Sequence, residues 1–148
     1  MKAIVQRVEN ASVTISNKII GEISTGILVL LGIEINDGEK ESKWMRNKLI
    51  NLRIFPDENN IMNLSPMNIN ADILIISNFT VCADVKKGFR PSYSGAMSLE
   101  QSEIIYNDFV TKIKEESALN IQTGKFGADM KVSLINDGPV TLILHSSD

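Results

Sequence analysis

Five consecutive aliphatic residues, Ile27-Leu28-Val29-Leu30-Leu31, form the stretch that decides the fold. An unbroken run of this length predicts a central strand buried on both faces, because a strand with one wet face would alternate apolar and polar residues. A comparable run, Asp72–Ser77, predicts the next buried strand. The remainder of the chain must therefore supply neighbouring strands and the helices that cover them.

Shorter stretches on both sides predict these further strands. They lie at residues 2–9, 12–15 and 19–23 before the central run, and at 53–55, 61–64, 130–135 and 140–144 after it. Asn136-Asp137-Gly138-Pro139 is predicted to be the turn that joins the last two strands, since Asp-Gly between strands is a common hairpin signal. Because several strands follow one another through tight turns, the sheet is predicted to be largely antiparallel or mixed.

Two segments have the period of a helix. Met45, Leu49 and Leu52 are spaced four and three residues apart, which predicts a helix from Glu39 to about Asn51. A second helix is predicted to begin at Ser98, where Ser98-Leu99-Glu100-Gln101 matches a capping box, and to end near Ala118. The predicted fold class is α/β in the α+β sense, a mostly antiparallel or mixed sheet with two main helices packed on it.

Length and scarce residue types exclude several classes of site. A length of 148 residues predicts one domain over residues 1–148. The 15 Lys and Arg against 18 Asp and Glu give a net charge of −3. One cysteine, Cys82, and one histidine, His145, leave no internal disulfide and make structural zinc and a Ser-His-Asp triad very unfavourable. No GxGxxG or GxxxxGK[ST] motif is present, so neither a metal nor a cofactor is expected.

The N-terminus and the apolar runs predict the compartment. The first residues, 1–7, include Lys2 and Arg7 and lack the hydrophobic segment of a signal peptide. The longest apolar runs are far shorter than the roughly 18 residues of a membrane span. We therefore expect a cytoplasmic protein with no membrane partner.

Three segments are candidates for chemistry, and each has a plainer alternative. In Ser77-Asn78-Phe79-Thr80, hydroxyls and backbone N–H groups at a strand end could hold an oxyanion, or could satisfy only local backbone groups. Asn136–Thr141 could be a structural turn, although Pro139 removes an N–H from the ladder. A third set of residues is cationic, and could contact RNA phosphates or simply be solvated: Lys86, Lys87, Arg90, Lys125 and Lys131.

Several motifs together resemble the D-aminoacyl-tRNA deacylase family, also called the D-tyrosyl-tRNA deacylases. They run in the family's order from the first residue to about Leu144 without large gaps. The matching stretches are residues 1–8 (MKAIVQRV), the Gly32 region, 53–55 (RIF), 77–80 (SNFT), 88–92 (GFRPS), 122–130 (QTGKFGADM) and 136–141 (NDGPVT). The fold that the resemblance implies is a barrel-like sheet with the two helices on it.

The resemblance implies an enzyme that hydrolyses the ester bond between a D-amino acid and the 3′ end of tRNA, as proofreading for translation. It implies catalytic roles for Ser77, Phe79 and Thr80. Substrate-binding roles would fall to Asn78, Phe126, Met130, Gly138 and Pro139, with Phe126 and Met130 at the terminal adenosine. No metal or cofactor is implied.

The resemblance also implies a homodimer with its active sites at the subunit interface. Gly138 and Pro139 of one subunit would enter the site of the other and leave no room for an L side chain. Glycine has no side chain to exclude, so glycyl-tRNA, including glycine mischarged on tRNA-Ala, is expected to be a second substrate.

One residue departs from the family pattern, which usually has Gln where this chain has Asn78. No base is visible beside Thr80, so we expect the terminal 2′-hydroxyl of the tRNA, rather than a Thr80 nucleophile, to assist hydrolysis. The alternatives are a noncatalytic RNA- or nucleotide-binding dimer, which the change at Asn78 favours, and an esterase for small molecules with no tRNA role.

Overall fold

The computed structural model describes residues 1–147. Most of them lie in one six-stranded sheet and three helices. In chain order the elements are β1 (Lys2–Ile15), β2 (Lys18–Ile23), β3 (Gly26–Gly32), α1 (Glu39–Asn51), β4 (Phe55–Pro56), β5 (Met62–Leu64), α2 (Pro66–Ile69), β6 (Asp72–Ser77), a 3-10 turn (Phe79–Cys82), α3 (Leu99–Glu116), β7 (Ile121–Thr123) and β8 (Lys131–His145).

The sheet is mixed, as predicted. Strand β1 pairs antiparallel with β2, β3 and β8, whereas β3, β6 and β7 pair in parallel. Strand β2 reaches round to contact β7, so the sheet nearly closes into a barrel. The short strands β4 and β5 form a separate antiparallel pair. The predicted barrel-like sheet with two main helices is therefore confirmed, with α2 as an additional short helix.

The aliphatic run in β3 is unbroken because both of its faces are buried. Ile27 and Val29 belong to the main core, which α1 and α3 cover with Met45 and Phe109 among others. Leu28, on the opposite face, belongs to a second cluster in the barrel interior. Strand β6 alternates in the same way, and its pairing with β3 puts Ser77 beside Leu31. The carboxyl ends of both parallel strands consequently lie at the same edge of the sheet.

Two predicted strand breaks are wrong. Asn10 and Ala11, which were predicted to separate two strands, lie within a single strand, because β1 changes its partner there from β3 to β2 while β8 continues along its other edge. Residues 136–139 do not join two strands in a hairpin either. The chain on both sides of them pairs antiparallel with β1 in the same direction, so they belong to an irregular stretch inside β8.

Smaller differences have local causes. Arg53 and Ile54 precede β4, and the Ile54 carbonyl accepts a hydrogen bond from the buried Arg7 side chain instead of entering a ladder. Ser98 is the N-cap of α3, but its hydroxyl donates to the Gln101 side chain, 3.2 Å away, rather than capping a backbone N–H. His145 is the last residue of β8, and its Nε2 lies 2.7 Å from the Glu34 carboxylate.

Candidate active site

A pocket of about 930 Å³ opens where β3 and β6 end. Most of its wall is aliphatic and continues the second hydrophobic cluster, with Leu28, Leu30, Ile76, Val132 and Leu134 among the lining residues. This volume is within the range of pockets that hold small organic molecules. A mostly apolar wall also strengthens any hydrogen bond made inside the pocket, because water competes less there.

The turn after β6 supplies polar groups to this pocket. The Asn78 N–H donates to the Leu31 carbonyl at 2.8 Å, which continues the β3–β6 pairing by one residue. The Asn78 side-chain oxygen then accepts from the Thr80 N–H at 3.1 Å and from the Thr80 hydroxyl at 2.5 Å. Asn78 is therefore the cap of the 3-10 turn, a role suited to a short side chain that folds back on its own backbone.

A glycine at the end of β3 lets this turn approach closely. A Cβ at Gly32 would lie 2.6 Å from the Cys82 sulfur, so a larger residue would push the 3-10 turn away from the sheet. Cys82 itself is buried, and burial raises the pKa of its thiol. The thiol therefore stays protonated near neutral pH and packs as a small apolar group.

The hydrogen bonds of the turn leave one backbone donor available. The Thr80 N–H is occupied by Asn78, whereas the Phe79 N–H has no acceptor among residues 1–147. The Phe79 ring is exposed and meets Tyr93 edge-to-face, with 5.0 Å between the ring centroids. Both aromatic residues line the pocket. A single backbone N–H beside an apolar pocket is the kind of group that can hold a developing oxyanion.

Phe126 and Met130 lie on another part of the pocket wall. The Phe126 ring is 5.6 Å from that of Tyr106, whose hydroxyl donates to the buried Ile75 carbonyl at 2.9 Å. Burial raises the pKa of Tyr106 well above its usual range, so this phenol remains a hydrogen-bond donor. Tyr106 thereby fixes the surface on which Phe126 packs.

Few titratable groups reach the pocket. Among the lining residues in the described chain, only Asp129 and Tyr93 carry one, and Asp129 pairs with Lys131 at 3.4 Å. The single histidine, His145, contacts Glu34 and is absent from the lining. The Thr80 hydroxyl donates to an amide oxygen rather than to a base. No group of three or more His, Cys, Asp and Glu within residues 1–147 is arranged to hold a metal.

Gly138 and Pro139 lie outside the pocket of their own chain. Thr141 pairs with Gln6 and Asn136 pairs with Val8, so residues 137–140 form a bulge opposite Arg7 alone. Gly138 and Pro139 are both exposed, and the peptide bond between them is cis. The bulge presents these two residues away from the strand ladder.

The side chains of Arg7 and Asn136 hold this bulge in place. The buried Arg7 guanidinium donates to the Ile54 carbonyl at 2.6 Å and to the Asp137 carbonyl at 3.2 Å, and it lies 2.9 Å from the Asp137 carboxylate. Asn136 accepts from the Val140 N–H at 2.9 Å and donates to Gln6 at 3.0 Å. Because Gln6 also lines the pocket, the base of the bulge borders the pocket.

Comparison with known proteins identifies the family. The family described as D-Tyr-tRNA(Tyr) deacylase matches residues 4–145. The chain belongs to this family. It is 51% identical to the D-aminoacyl-tRNA deacylase of Flavobacterium psychrophilum over 148 residues, which is all of this chain and 99% of the relative. It is also 51% identical to the D-aminoacyl-tRNA deacylase of Thermosipho melanesiensis, with 99% of this chain and 97% of the relative covered.

Solved structures agree with the deacylase family fold. A structure described as a c-Myc DNA unwinding element binding protein is 44% identical, with a TM-score of 0.94 and 98% of both chains covered. A structure described as a probable eukaryotic D-amino acid tRNA deacylase has a TM-score of 0.84 over 97% of both chains, and its 14% identity bears on the fold alone. The predictions of a deacylase, hence a hydrolase, and of its family fold are confirmed.

The pocket brings together six of the eight site residues that the resemblance to the deacylase family implied. Those six are Ser77, Asn78, Phe79, Thr80, Phe126 and Met130, whereas Gly138 and Pro139 are elsewhere. Sequence reasoning missed Gln6, Tyr93 and Asp129 as lining residues. Tyr93 directly follows the matched GFRPS motif, so an aromatic residue beside a cationic loop was an available signal. Gln6 and Asp129 lie within the matching stretches 1–8 and 122–130, but nothing in those stretches singled out their side chains.

Proposed function

We propose that the protein hydrolyses the ester bond of D-aminoacyl-tRNA and releases free D-amino acid and tRNA. The Phe79 N–H carries this proposal, because it is an available donor in an apolar pocket large enough for a terminal aminoacyl-adenosine. An aminoacyl ester needs orientation and oxyanion stabilisation more than a strong nucleophile. The family and its D-aminoacyl-tRNA deacylase relatives support the same substrate.

The chemical step uses water and the substrate's own ribose. Water attacks the ester carbonyl carbon while the carbonyl oxygen becomes negative and accepts from the Phe79 N–H. The C–O bond to the ribose 3′-oxygen then breaks, and the neighbouring 2′-hydroxyl assists proton transfer from the attacking water to that oxygen. Asn78 engages the Thr80 hydroxyl, which supports a positioning role for Thr80 rather than covalent attack.

Chiral selection is proposed to need a second copy of the chain. Gly138 and Pro139 of the partner would enter the pocket and contact the amino acid's α-ammonium group through their carbonyl oxygens. Their exposure, and the Arg7 side chain that fixes their bulge, support this assignment. An L side chain would then collide with the pair. Glycyl-tRNA would pass, so glycine wrongly attached to tRNA-Ala is a proposed second substrate.

Matched D- and L-tyrosyl-tRNA provide the test. The protein is expected to release D-tyrosine rapidly and to leave the L-ester intact, with glycyl-tRNA also hydrolysed. Analytical ultracentrifugation of the same sample is expected to give the mass of a homodimer. Since aminoacyl-tRNA is used in translation, the proposed site of action is the cytoplasm. Loss of both stereoisomers at equal rates would contradict chiral proofreading.

A noncatalytic nucleic-acid-binding protein is the second candidate. The name of the 44% identical structure, a DNA unwinding element binding protein, favours it. It predicts that the protein binds D-tyrosyl-tRNA without ester loss. A third outcome, in which free D-tyrosine esters react as fast as the tRNA-linked ester, would indicate a small-molecule esterase with no tRNA role.

A further inference from the structure

A short hairpin beside the pocket carries the GFRPS motif. Its base is fixed because Asp84 and Ser92 exchange two backbone hydrogen bonds, of 2.8 and 2.9 Å. The Asp84 carboxylate also accepts from the Lys86 N–H at 2.9 Å. The segment between Asp84 and Ser92 is therefore a closed hairpin with a defined orientation, which we call the basic hairpin.

The basic hairpin has a net positive charge, because its three cations outnumber its one carboxylate. Lys86, Lys87 and Arg90 are exposed, and none forms an ion pair within residues 1–147. Some other cations of the chain are paired, including Arg46 with Glu116 and Lys112 with Asp108, whereas the basic hairpin places three unpaired cations within five residues. Three cations beside one carboxylate, in a protein whose net charge is −3, form a local site of attraction for phosphate groups.

The basic hairpin also contains an exposed aromatic ring next to its cations in sequence. Phe89 lies between Gly88 and Arg90, and its side chain is fully exposed at 106%. It differs from Phe79, whose ring packs against Tyr93. A bare aromatic ring flanked by cations is the combination that binds single-stranded nucleic acid, with the ring stacking on a base and the cations contacting the backbone.

Both ends of the basic hairpin lie close in sequence to residues of the pocket wall. The chain enters it two residues after the 3-10 turn (Phe79–Cys82), and leaves it directly at Tyr93. Phe79, Thr80 and Tyr93 line the pocket. A nucleotide strand whose last residue occupied the pocket would therefore leave it past the basic hairpin.

We infer that the basic hairpin binds the single-stranded 3′ end of the tRNA, with Lys86, Lys87 and Arg90 on phosphates and Phe89 stacked on an unpaired base. The inference rests on the proposed function, because it takes the terminal nucleotide to be the one in the pocket. It assigns tRNA binding to residues separate from those that act on the ester.

A triple variant and a charge-matched control test the phosphate contacts. Lys86→Gln/Lys87→Gln/Arg90→Gln removes the cations of the hairpin, and Lys18→Gln/Lys40→Gln/Lys43→Gln removes the same charge from exposed sites elsewhere. We expect kcat/KM for D-tyrosyl-tRNA to fall about tenfold or more in the hairpin variant only. Its plot of log kcat/KM against log salt should be shallower by about 2, from three lost contacts at roughly 0.7 each.

A minimal substrate separates strand binding from the pocket. Adenosine carrying a D-tyrosyl ester has no phosphates, so the hairpin variant should hydrolyse it at the wild-type rate. Phe89→Ala should weaken binding of an RNA with a single-stranded 3′ end about tenfold, as expected for one lost base stack, and should also spare the minimal substrate. Thermal melting of each variant checks that the fold is retained.

Three outcomes would overturn the inference. The hairpin triple variant could match its control on D-tyrosyl-tRNA, the hairpin variants could lose activity on the minimal substrate, or they could change the oligomeric state of the protein. The proposed function fails differently, when the wild type hydrolyses neither substrate. Fluorescence anisotropy with the RNA alone would still show whether the basic hairpin binds it.

Discussion

The turn after β6 and the bulge in β8 are both interruptions of a strand, yet they are built in opposite ways. The turn is held by its own side chain, because Asn78 accepts from Thr80 two residues later, and it faces the pocket of its own chain. The bulge is held by Arg7, which lies 130 residues away in sequence, and it presents Gly138 and Pro139 to the exterior. The pocket of each chain thus contains the residues that we propose for hydrolysis. Gly138 and Pro139, which we propose to select the substrate, lie outside the pocket of their own chain.

Gly138→Ala should give the largest effect, because it changes the bulge itself. Gly138 has φ of +135°, and an added Cβ would lie 2.7 Å from a Val140 methyl and 2.8 Å from the Val140 nitrogen. The backbone must therefore move. We expect kcat/KM for D-tyrosyl-tRNA to fall about 100-fold, the loss associated with misplacing a positioning group by about 1 Å.

The control for this variant is Gly38→Ala, where the nearest atom to an added Cβ is 3.8 Å away. It should retain nearly full activity. If Gly138→Ala kept wild-type rates and still rejected the L-ester, the bulge would have no part in substrate selection.

The bulge also marks the limit of prediction from the sequence. The aliphatic runs of β3 and β6 and the helical segment that begins at Ser98 depend on residues close in sequence, and those elements were predicted correctly. Asp137-Gly138 has the same local signal whether it forms a hairpin or a bulge. Only the pairing of both halves of β8 with β1 decides between them, and that pairing joins opposite ends of the chain.

The residues of the site were likewise only partly predictable from the sequence. The residues of the Asn78 turn adjoin in sequence, so a motif could place them together. Gln6 and Tyr93 reach the pocket through the sheet and the basic hairpin, and no local pattern indicates that they meet. The short strand β7 was missed because Ile121–Thr123 offers too few residues for a period.

Arg7→Lys tests the support of the bulge from a distance. Arg7 reaches the Ile54 carbonyl with Nη1 and Asp137 with Nε, and the single ammonium nitrogen of a lysine cannot occupy both positions, so a buried acceptor loses its partner. We expect the free energy of unfolding to fall by about 1–3 kcal/mol and activity on D-tyrosyl-tRNA to fall about tenfold. Urea unfolding and steady-state kinetics measure the two effects.

Asp137→Asn is the comparison variant with the smaller expected effect, since an amide oxygen can still accept from Arg7. It should therefore lose less stability than Arg7→Lys. Equal stability of wild type and Arg7→Lys would show that the guanidinium does not hold the bulge.

Thr80→Val tests the turn after β6, where we expect smaller effects than in the bulge. The variant loses the hydroxyl that donates to Asn78 but keeps the Thr80 N–H, and no base lies beside that hydroxyl. We expect activity to remain measurable, within about tenfold of wild type, because loss of a true nucleophile would remove about 10⁴-fold or more. Thr80→Ser, which keeps the hydroxyl, should lie close to wild type. Complete loss in folded Thr80→Val, with a covalent aminoacyl adduct on the wild type by mass spectrometry, would instead establish covalent catalysis.

Asn78 gives the smallest and most discriminating change, because its two side-chain groups have separable roles. Asn78→Asp keeps an oxygen that accepts from Thr80 and removes the NH₂ group, whereas Asn78→Ala removes both. If Asn78 acts as the cap of the turn, the Asp variant should keep the stability of wild type, while the Ala variant loses about 1 kcal/mol of stability and about fivefold in activity. Asn78→Gln should resemble Ala in stability, since a longer side chain cannot make the same bond two residues on. An Asp variant that melts normally but is less active than Ala would show that a negative charge beside the Phe79 N–H opposes the oxyanion, so that Asn78 matters for the reaction as well as for the shape of the turn.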